Sequence, residues 1–291
     1  MRCLGIVCAS LILLGCGGNP RTGVDEDQFS SYWYQGKAEI NVFDLEQYRY
    51  GAKREGTAVM IFVTEDFSKR KQVKLDNPEA AGADARKVIK MNMTREFVTG
   101  VYPYNTMLSV FTPVYDEENA FKITASVTEW CGQAFIQMNW KNGSYRAKLF
   151  SYFESEGDQE VKLEGPSEDE IFNTIRLNPS IVPEGNVRLI PSLTFQRFSH
   201  IPLKVERASI SKRKISGNQE ELSLEYKTIN RKLVVRYQQF FPYEILSWEE
   251  IQTKPDGSLE RTIGTRRNME KLDYWNRNSL QDKELRRALG L

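Results

Sequence analysis

The sequence predicts a mainly β protein with one large curved antiparallel sheet, a half-barrel or open barrel, with one internal helix and a C-terminal helix. About a dozen short segments show the alternation or the continuous apolar runs of strands. Asn142-Gly143 and Asp256-Gly257 lie between such segments, and these dipeptides favour hairpin turns with positive φ angles. The 13 Tyr and 15 Phe residues also suit strands. A sheet of so many strands tends to curl or to split, so we expect strong curvature.

The first fifteen residues have the pattern of a bacterial lipoprotein signal peptide. Arg2 supplies a positive charge, and the apolar run from Leu4 to Leu14 is too short to span a bilayer. The signal for cleavage before a cysteine and attachment of lipid to its sulfur is formed by Leu13, Leu14, Gly15 and Cys16. A buried N-terminal strand or helix is the alternative, and the extreme N-terminal position favours the lipoprotein signal.

Residues 16–31 are expected to form the lipidated Cys16 and a flexible tether, because Gly17 to Gly23 has no apolar periodicity. Gly17, rather than Asp, follows the cysteine, which argues against retention at the inner membrane. The sequence therefore predicts an outer-membrane lipoprotein of the cell envelope, on either the periplasmic or the surface face. Asp25-Glu26-Asp27 is either an acidic cluster that directs export to the surface or part of a solvated linker.

Charge and cysteine content exclude several classes of protein. The formal net charge is +1, and removal of Arg2 with the signal leaves a neutral mature chain, so no global field points to nucleic acid. Once Cys3 and Cys8 are removed and Cys16 is acylated, Cys131 remains alone and no intramolecular disulfide can form. We expect Cys131 to be a buried small hydrophobe.

The segments before residue 164 alternate between strands and turns. Val59 to Val63 is continuously apolar, which predicts a central strand covered on both faces. Residues 76–86 contain Asn77-Pro78 and small residues, so they form a loop or a short helical insertion. The predicted strands of this half are Tyr32–Asn41, Thr57–Glu65, Lys71–Leu75, Lys87–Thr99, Met107–Val114, Phe121–Trp130, Phe135–Trp140, Tyr145–Glu154 and Asp158–Leu163.

Residues 167–177 have the strongest internal helix signal. Ser167 and Glu170 form a capping box, and Ile171, Phe172 and Ile175 form an apolar stripe. We expect this helix on the concave side of the sheet or at one mouth. Residues 178–186 then provide a linker, so 32–291 is either one β-rich domain or two halves divided there.

The second half returns to strands and ends in a helix. Alternation in Glu221 to Tyr226 indicates a half-buried strand. Ser279 precedes a predicted C-terminal helix over 280–289. The predicted strands of this half are Val187–Phe198, Leu203–Ile210, Glu221–Thr228, Lys232–Gln239, Tyr243–Glu250 and Ser258–Asn268.

Catalytic chemistry has no clear signal in this sequence. No phosphate loop, nucleophile elbow or metal-ligand spacing is present. His200 is the single histidine, which excludes sites built from several His or Cys ligands, and a loop or core histidine is its default role. Adjacent carboxylates such as Glu249-Glu250 point to opposite faces of a strand, which is poor acid–base geometry. We therefore expect no catalytic residue, no metal and no cofactor.

Aromatic residues are the one functional signal in the predicted domain. They cluster in Tyr32-Trp33-Tyr34, Tyr102-Pro103-Tyr104 and Phe240-Phe241-Pro242-Tyr243. An ordinary β core explains such density, and an apolar cavity for a lipid or another apolar ligand is the functional alternative. The candidate ligand-binding residues are Trp33, Tyr34, Tyr102, Tyr104, Phe241, Tyr243 and Trp248.

Two stretches resemble a family of uncharacterised envelope lipoproteins: Tyr34–Ile40 through Gly56–Val59, and Phe241–Glu250. Its members often carry the name "septum formation inhibitor Maf", and the resemblance covers most of the mature chain. Maf proteins are cytosolic nucleotide pyrophosphatases with a Ser-x-Ser-Pro-Arg-Arg signature, which this sequence lacks. The resemblance therefore transfers no catalytic residue. The strand order is also similar to that of periplasmic carriers of the LolA/LolB type, at the level of fold alone.

Three functions remain open. The first is a non-enzymatic envelope lipoprotein that is attached to the membrane through its lipid and binds an apolar ligand or an envelope protein through the curved sheet. This function predicts an aromatic-lined concavity without convergent charged groups. The second is a structural or assembly lipoprotein that acts through its surface. The third is an envelope hydrolase, which needs at least two polar side chains that converge in a cleft, with His200 as the strongest candidate to join them.

Overall fold

A computed structural model describes residues 23–116 and 118–291. The predicted signal residues Leu13, Leu14 and Gly15 and the predicted lipidation site Cys16 lie outside the described residues. All the strands of one antiparallel 14-stranded sheet and their shared core lie within the described part, so a chain that starts at Gly23 retains the whole sheet. None of the described helices has the length and hydropathy to cross a membrane.

The strands of this sheet are long at its centre and short at its two edges. Their bounds are β1 Ala38–Arg49, β2 Ala52–Ser68, β3 Ala85–Thr99, β4 Tyr102–Pro113, β5 Lys122–Glu129, β6 Gly132–Lys141, β7 Ser144–Ser151, β8 Gln159–Leu163, β9 Gly185–Leu189, β10 Glu206–Ile215, β11 Gln219–Tyr226, β12 Arg231–Gln238, β13 Ile245–Thr253 and β14 Leu259–Leu272. The α-helices are α1 Glu26–Trp33, α2 Pro78–Ala81, α3 Ile171–Leu177, α4 Leu193–Ser199 and α5 Lys283–Ala288.

Two meanders form the sheet. Strands β1 to β8 follow one another in space, as do β9 to β14, and the pairing of β1 with β14 joins the two runs into the order β8 to β1 and then β14 to β9. The chain crosses from one edge to the other over residues 164–184, which include α3. The candidate boundary at 178–186 overlaps the end of this crossing. Among the described residues no ladder joins β8 to β9, so the barrel is open.

The concave face of the sheet carries the main core. Met60 and Phe62 of β2 and Met91 and Met93 of β3 are buried there, together with the apolar stripe of α3. The amide of Asn173 on α3 donates to the carbonyl oxygens of Ile89 and Val110, at 3.1 and 3.2 Å. Helix α3 therefore fills the inside of the curved sheet, as the sequence predicts.

The convex face is covered in part by the C-terminal segment. Ile40 and Val42 of β1 pack there against Leu289, with Val59 and Ile61 of β2 beside them. The continuous apolar run Val59–Val63 thus has both faces covered and pairs with β1 and β3, which confirms its prediction as a central strand. The predicted C-terminal helix is shorter than expected, because a 3₁₀ turn over Leu280–Asp282 precedes α5.

The end of the predicted tether is a helix. Asp25 caps α1, accepting a hydrogen bond from the backbone nitrogen of Gln28 at 2.9 Å, and Phe29 and Trp33 are buried. The acidic cluster at 25–27 is thus the N-cap and first turn of a helix, where negative charge is favoured. The tether prediction is wrong for residues 26–31, and the strand predicted from Tyr32 begins at Ala38.

Other predicted elements also differ. The predicted strand Val187–Phe198 ends as β9 at Leu189, and helix α4 occupies its second part. Residues 71–75 form a single bridge to Phe67 rather than a strand. Cys131 is exposed at the turn between β5 and β6, so the expectation that it is buried is wrong. For the two predicted strands, the alternating segment is too short to exclude a turn or a short helix.

The buried ion pair between Arg176 of α3 and Glu39 of β1 fixes α3 against the sheet. Both side chains are fully buried, and the guanidinium lies over the rings of Trp33 and Phe62, 5.0 and 5.3 Å from their centroids. Tyr32 also donates a hydrogen bond to Glu39. Removal of one charge leaves the other buried and uncompensated, which typically costs several kcal/mol.

We expect Arg176→Met to lower the free energy of unfolding by about 3–5 kcal/mol, because it leaves Glu39 without its counter-charge. Guanidinium chloride unfolding of the chain from Gly23 measures this. The double variant Arg176→Met with Glu39→Gln is expected to recover part of the loss. If the free energy of unfolding of the double variant falls by the sum of the losses in Arg176→Met and Glu39→Gln, the two side chains are not coupled.

Candidate functional site

A cavity opens at the end of the barrel formed by the β1–β2, β11–β12 and β13–β14 turns. Its volume is about 600 Å³, and we call it the mouth cavity. Helix α1 lies at the opposite end, where the hydroxyl of Thr64 donates to the carbonyl of Trp33. The cavity lining comprises Gln47, Tyr48, Arg49, Tyr50, Gly51, Phe195, Phe198, Ser199, Ile201, Ile229, Arg231, Glu250, Ile251, Gln252, Lys254, Glu260 and Thr262.

One wall of the mouth cavity is apolar and belongs to α4. Phe195 and Phe198 lie on this helix, and Ile201 follows it. His200 ends the helix in the left-handed conformation with φ of 50°. At the other end of α4, the backbone nitrogens of Ser192 and Leu193 donate to the carboxylates of Glu168 and Asp169, at 3.2 and 3.0 Å. The 3₁₀ turn over Glu168–Glu170 thus holds this wall in place.

Arg231 and Glu250 on the floor of the cavity belong to a chain of alternating charges. Arg231 donates to Glu168 at 2.6 Å and lies 3.9 Å from Glu250. Arg95 donates to the other oxygen of Glu250 at 2.6 Å. The guanidinium of Arg231 lies 4.5 Å from the ring centroid of Phe195, which connects the floor to the apolar wall. We call Arg95, Glu168, Arg231 and Glu250 the floor cluster.

Two members of the floor cluster, Arg231 and Glu250, keep their charges at neutral pH. Burial opposes the charge of Glu250, yet Arg95 and Arg231 hold the pKa of that carboxyl below its ordinary value. Burial likewise opposes the charge of Arg231, and Glu168 with Glu250 holds its pKa above the ordinary value. Since each charge already faces an opposite charge, the floor presents fixed dipoles to a bound molecule rather than a titrating acid or base.

Arg49 and the tyrosines around it form the rim. Arg49 donates to the carbonyl oxygen of Phe198 at 2.7 Å, and its guanidinium lies 4.6 Å from the ring centroid of Tyr50. The hydroxyl oxygens of Tyr50 and Tyr104 are 2.7 Å apart, and the hydroxyl of Tyr102 donates to that of Tyr50 at 3.4 Å. The rim therefore offers a cation and several hydroxyls at the entrance.

The structure does not bring the seven candidate aromatic residues together. Tyr102 and Tyr104 touch the rim through Tyr50, and Trp248 lies under the floor, with the guanidinium of Arg95 4.3 Å from its ring. The remaining four are at or toward the α1 end. Trp33 is buried, Tyr34 bonds Tyr115 at 2.8 Å, and Phe241 and Tyr243 contact each other with ring centroids 5.7 Å apart.

His200 lies beside the mouth cavity, in a smaller depression of about 170 Å³. Its Nδ1 is 2.7 Å from Glu156, and Ser151 donates to the other oxygen of the same carboxylate. A hydrolytic triad needs the histidine between the hydroxyl and the acid. Here the acid lies between the other two, so this arrangement positions a loop and does not activate Ser151. Within the described residues no three His, Cys, Asp or Glu side chains are grouped to hold a metal.

Sequence reasoning missed the floor cluster because its four members come from separate segments. Arg95 is on β3, Glu168 on the crossing, Arg231 on β12 and Glu250 on β13. Alternation in β13 was the available signal: Glu249 points outward to Arg261, whereas Glu250 points inward. An inward carboxylate on a buried strand requires a partner, yet only the fold identifies which one. The mouth cavity thus combines aromatic walls with convergent charged groups, unlike the purely apolar concavity that the first hypothesis predicts.

Comparison with known proteins adds little to this geometry. No protein-family model matches the chain, and no curated protein matches it. A solved structure of a beta-barrel-like protein of domain of unknown function DUF1849 from Brucella abortus is similar, with a TM-score of 0.48 and 8% identity. The match covers 81% of this chain and 98% of that chain. It carries no functional argument, and neither the Maf label nor a likeness to LolA or LolB is supported by these comparisons.

Asp169, next to the floor cluster, makes stability depend on pH. Burial and the charge of Glu168 raise its pKa to about 7, whereas an unfolded Asp has a pKa of about 3.9. The folded chain therefore keeps a proton that the unfolded chain loses. The stability linked to this proton is complete below about pH 4 and is lost as the pH rises to about 7.

We expect Asp169→Asn to gain stability relative to the unmodified chain as the pH rises from about 4.5 to 7, by at most about 1.4 kcal/mol per pH unit. Asparagine keeps an acceptor oxygen for the Leu193 nitrogen but carries no proton equilibrium. Guanidinium chloride unfolding at several pH values measures the difference. Asp76→Asn, at an exposed position, is the control and is expected to change nothing. Parallel curves for Asp169→Asn and the unmodified chain would contradict the assignment.

Proposed function

We propose that this chain is a lipid-anchored protein of the cell envelope that binds an amphipathic ligand in the mouth cavity, without catalysing a reaction. The observation that carries the proposal is the composition of that cavity. Its α4 wall is aromatic and aliphatic, whereas its floor and rim are charged and hydroxylic. A ligand with an apolar body and a polar end matches both surfaces, since binding sites combine apolar walls with a few placed polar groups.

The volume of the cavity supports a small ligand. A space of about 600 Å³ lies within the range of cavities that hold drug-sized molecules. The apolar body of the ligand packs on Phe195, Phe198 and Ile201, and its polar end faces Arg49 at the rim. The concave face deeper in the sheet is filled by α3 and the main core, which favours a ligand at the mouth over one deeper inside.

The state of the charged groups favours binding over catalysis. A general acid or base needs an accessible group that titrates near the working pH. Glu168 and Arg231 are buried, and Glu250 is held charged between two arginines. His200 contacts Glu156 outside the mouth cavity. These contacts favour a binding protein over the envelope hydrolase.

The predicted anchor is compatible with a mouth that faces away from the bilayer. The carbonyl of Gly23 accepts a hydrogen bond from Asn178, and Asp25 caps α1 at the end opposite the mouth. Six residues, 17–22, separate the predicted acylated cysteine from Gly23, and the seven Cα–Cα steps between the two span at most about 25 Å when extended. A lipid on Cys16 thus holds the α1 end near the membrane and leaves the mouth accessible.

We expect Ser199→Trp to weaken ligand binding by about tenfold or more, because the indole fills the cavity beside Phe198. Ser199 is exposed and lines the cavity, so the substitution leaves the core intact. Titration of the chain from Gly23 with dansyl-labelled undecanoic acid, read by dansyl fluorescence, measures the dissociation constant. Ser199→Ala is the matched control and should bind as the unmodified chain does. If Ser199→Trp binds the labelled acid as tightly as the unmodified chain does, the acid binds outside the mouth cavity.

The anchor has its own test. In the native cell, mass spectrometry of the membrane-extracted protein should show an N terminus at Cys16 that carries a diacylglycerol and an acyl chain. Cys16→Ser should abolish this modification, because lipid attachment requires the thiol. Cys8→Ser, inside the predicted signal, serves as the control and should leave the modification intact. Native protein in the soluble cell interior with residues 1–15 uncut would contradict the anchor.

A further inference from the structure

The convex face of β4 to β7 carries an uncovered apolar surface near the mouth end. Met107, Ser126, Phe135 and Phe150 pair in register across these four strands, so their side chains share one face. Three of the four are large apolar residues with more than a third of their surface exposed. Adjacent turns add Val101 and Trp130, which are 79% and 71% exposed.

Tyr152 completes the surface. It is 63% exposed and follows Phe150 at the end of β7. Its ring lies against Gly132 of β6, where an added Cβ would approach the ring carbon to 2.7 Å. Glycine is therefore required for this ring position. Phe135, Phe150, Tyr152 and Asp158 line a shallow groove of about 490 Å³. We call Met107, Trp130, Phe135, Phe150 and Tyr152 the outer patch.

Elsewhere the convex face is covered or charged. The C-terminal segment packs on Ile40 and Val42, and ion pairs such as Lys90 with Glu65, at 2.5 Å, occupy the outer side of β2 and β3. The outer patch has neither kind of cover among the described residues. Soluble proteins rarely expose contiguous apolar patches of this kind unless the patch binds something.

The charges around the outer patch indicate the chemistry of its partner. Toward the turns the border is acidic, with Glu129, Glu154 and Asp158, and Asp158 lies in the groove itself. On the other side, toward the α1 end, Lys148 is paired with Glu160 at 3.7 Å, and the exposed Arg146 lies two residues before it on the same face of β7. A partner whose apolar stripe carries Lys or Arg where it meets the turns complements the acidic border.

Two other occupants fit less well. An anionic bilayer would be repelled by the acidic border, and the N-terminal side of α1, which leads to the predicted anchor, is at the opposite end of the barrel. A second copy related by a two-fold axis parallel to the strands would place the acidic borders of both copies together. A two-fold axis across the strands would place each acidic border on the Lys148 end of the other copy, where that lysine is already paired with Glu160.

We propose that the outer patch docks an amphipathic helical segment of another envelope protein, whose apolar stripe is bordered by Lys or Arg. The groove along Phe135, Phe150 and Tyr152 receives the apolar stripe, as in other helix-in-groove contacts. Asp158 pairs with a basic side chain of the segment. This surface shares no residue with the mouth cavity, so the inference rests on the proposed envelope location and not on the proposed ligand.

The test uses Cys131, which lies next to Trp130 and is the single cysteine of a chain that begins at Gly23. An environment-sensitive dye on this thiol reports occupation of the outer patch. The probe is an amphipathic peptide of Leu and Lys, about 18 residues long, compared with a peptide of Leu and Glu that has the same apolar stripe. We expect the Lys peptide to bind about tenfold more tightly or better, with an affinity that falls with salt.

Variants assign the binding to the outer patch. Phe135→Ser with Phe150→Ser should weaken the Lys peptide by about tenfold, with far-UV circular dichroism and a cooperative unfolding transition as the check on folding. Phe240→Ser, which removes an aromatic residue 62% exposed at the α1 end, is the matched control and should leave binding unchanged. Asp158→Asn should reduce the salt dependence.

Several outcomes would overturn the proposal. Equal affinity for the Lys and Glu peptides would remove the charge argument. Vesicles of phosphatidylglycerol and phosphatidylethanolamine that give the same dye response, lost in the double Phe variant, would assign the patch to a membrane. Dimerisation in sedimentation velocity that the double variant abolishes would assign it to a second copy. Full binding by the double variant would place the peptide site elsewhere.

Discussion

The pairing of β1 with β14 is the interaction on which the rest of the structure depends. Its register runs from Ala38 with Leu272 to Glu46 with Ile263, interrupted by a bulge between Val42 and Phe43. Without it the chain is two separate meanders, each with one more open edge. With it, the fourteen strands form one sheet whose two ends must curl, because strands twist and such sheets do not stay flat. The curled sheet leaves an interior that α3 and α4 fill.

The segment over residues 164–184, which crosses the interior of the sheet, brings charged residues inside it. Arg176 pairs with Glu39 on β1, and Glu168 pairs with Arg231 on β12. Buried pairs of this kind often contribute little net stability, because desolvation offsets the attraction. Their effect here is positional: each pair connects the crossing to a strand close to the β1–β14 seam. The residues that line the mouth are therefore positioned by the same contacts that set the crossing inside the sheet.

The sequence predicted the strands well because period-two alternation is local information. Strands β3, β5, β6 and β11 follow it closely, and Ser167 marked the start of the crossing helix region, where its hydroxyl accepts a hydrogen bond from the backbone nitrogen of Asp169. Helices α1 and α4 were missed, since each has at most eight residues and too few turns to show a helical period. The site was missed for another reason. Arg95, Arg231 and Glu250 meet only after distant strands curl together, and alternation gives the face of a residue but not its partner across the barrel.

One loop connects the outer patch with the helix that lines the mouth cavity, and this connection follows from the open barrel. The loop between β7 and β8 carries Tyr152 and Asp158 of the groove on its outer side. Between them, Glu156 contacts Arg197 and His200, at 3.5 and 2.7 Å. Arg197 lies on α4 and His200 ends it, and that helix supplies the aromatic wall of the mouth. A closed barrel would fix this loop through a further strand pair. Because β8 is an edge strand, side-chain contacts to α4 hold the loop instead, and the same contacts join the wall of the cavity to the border of the outer patch.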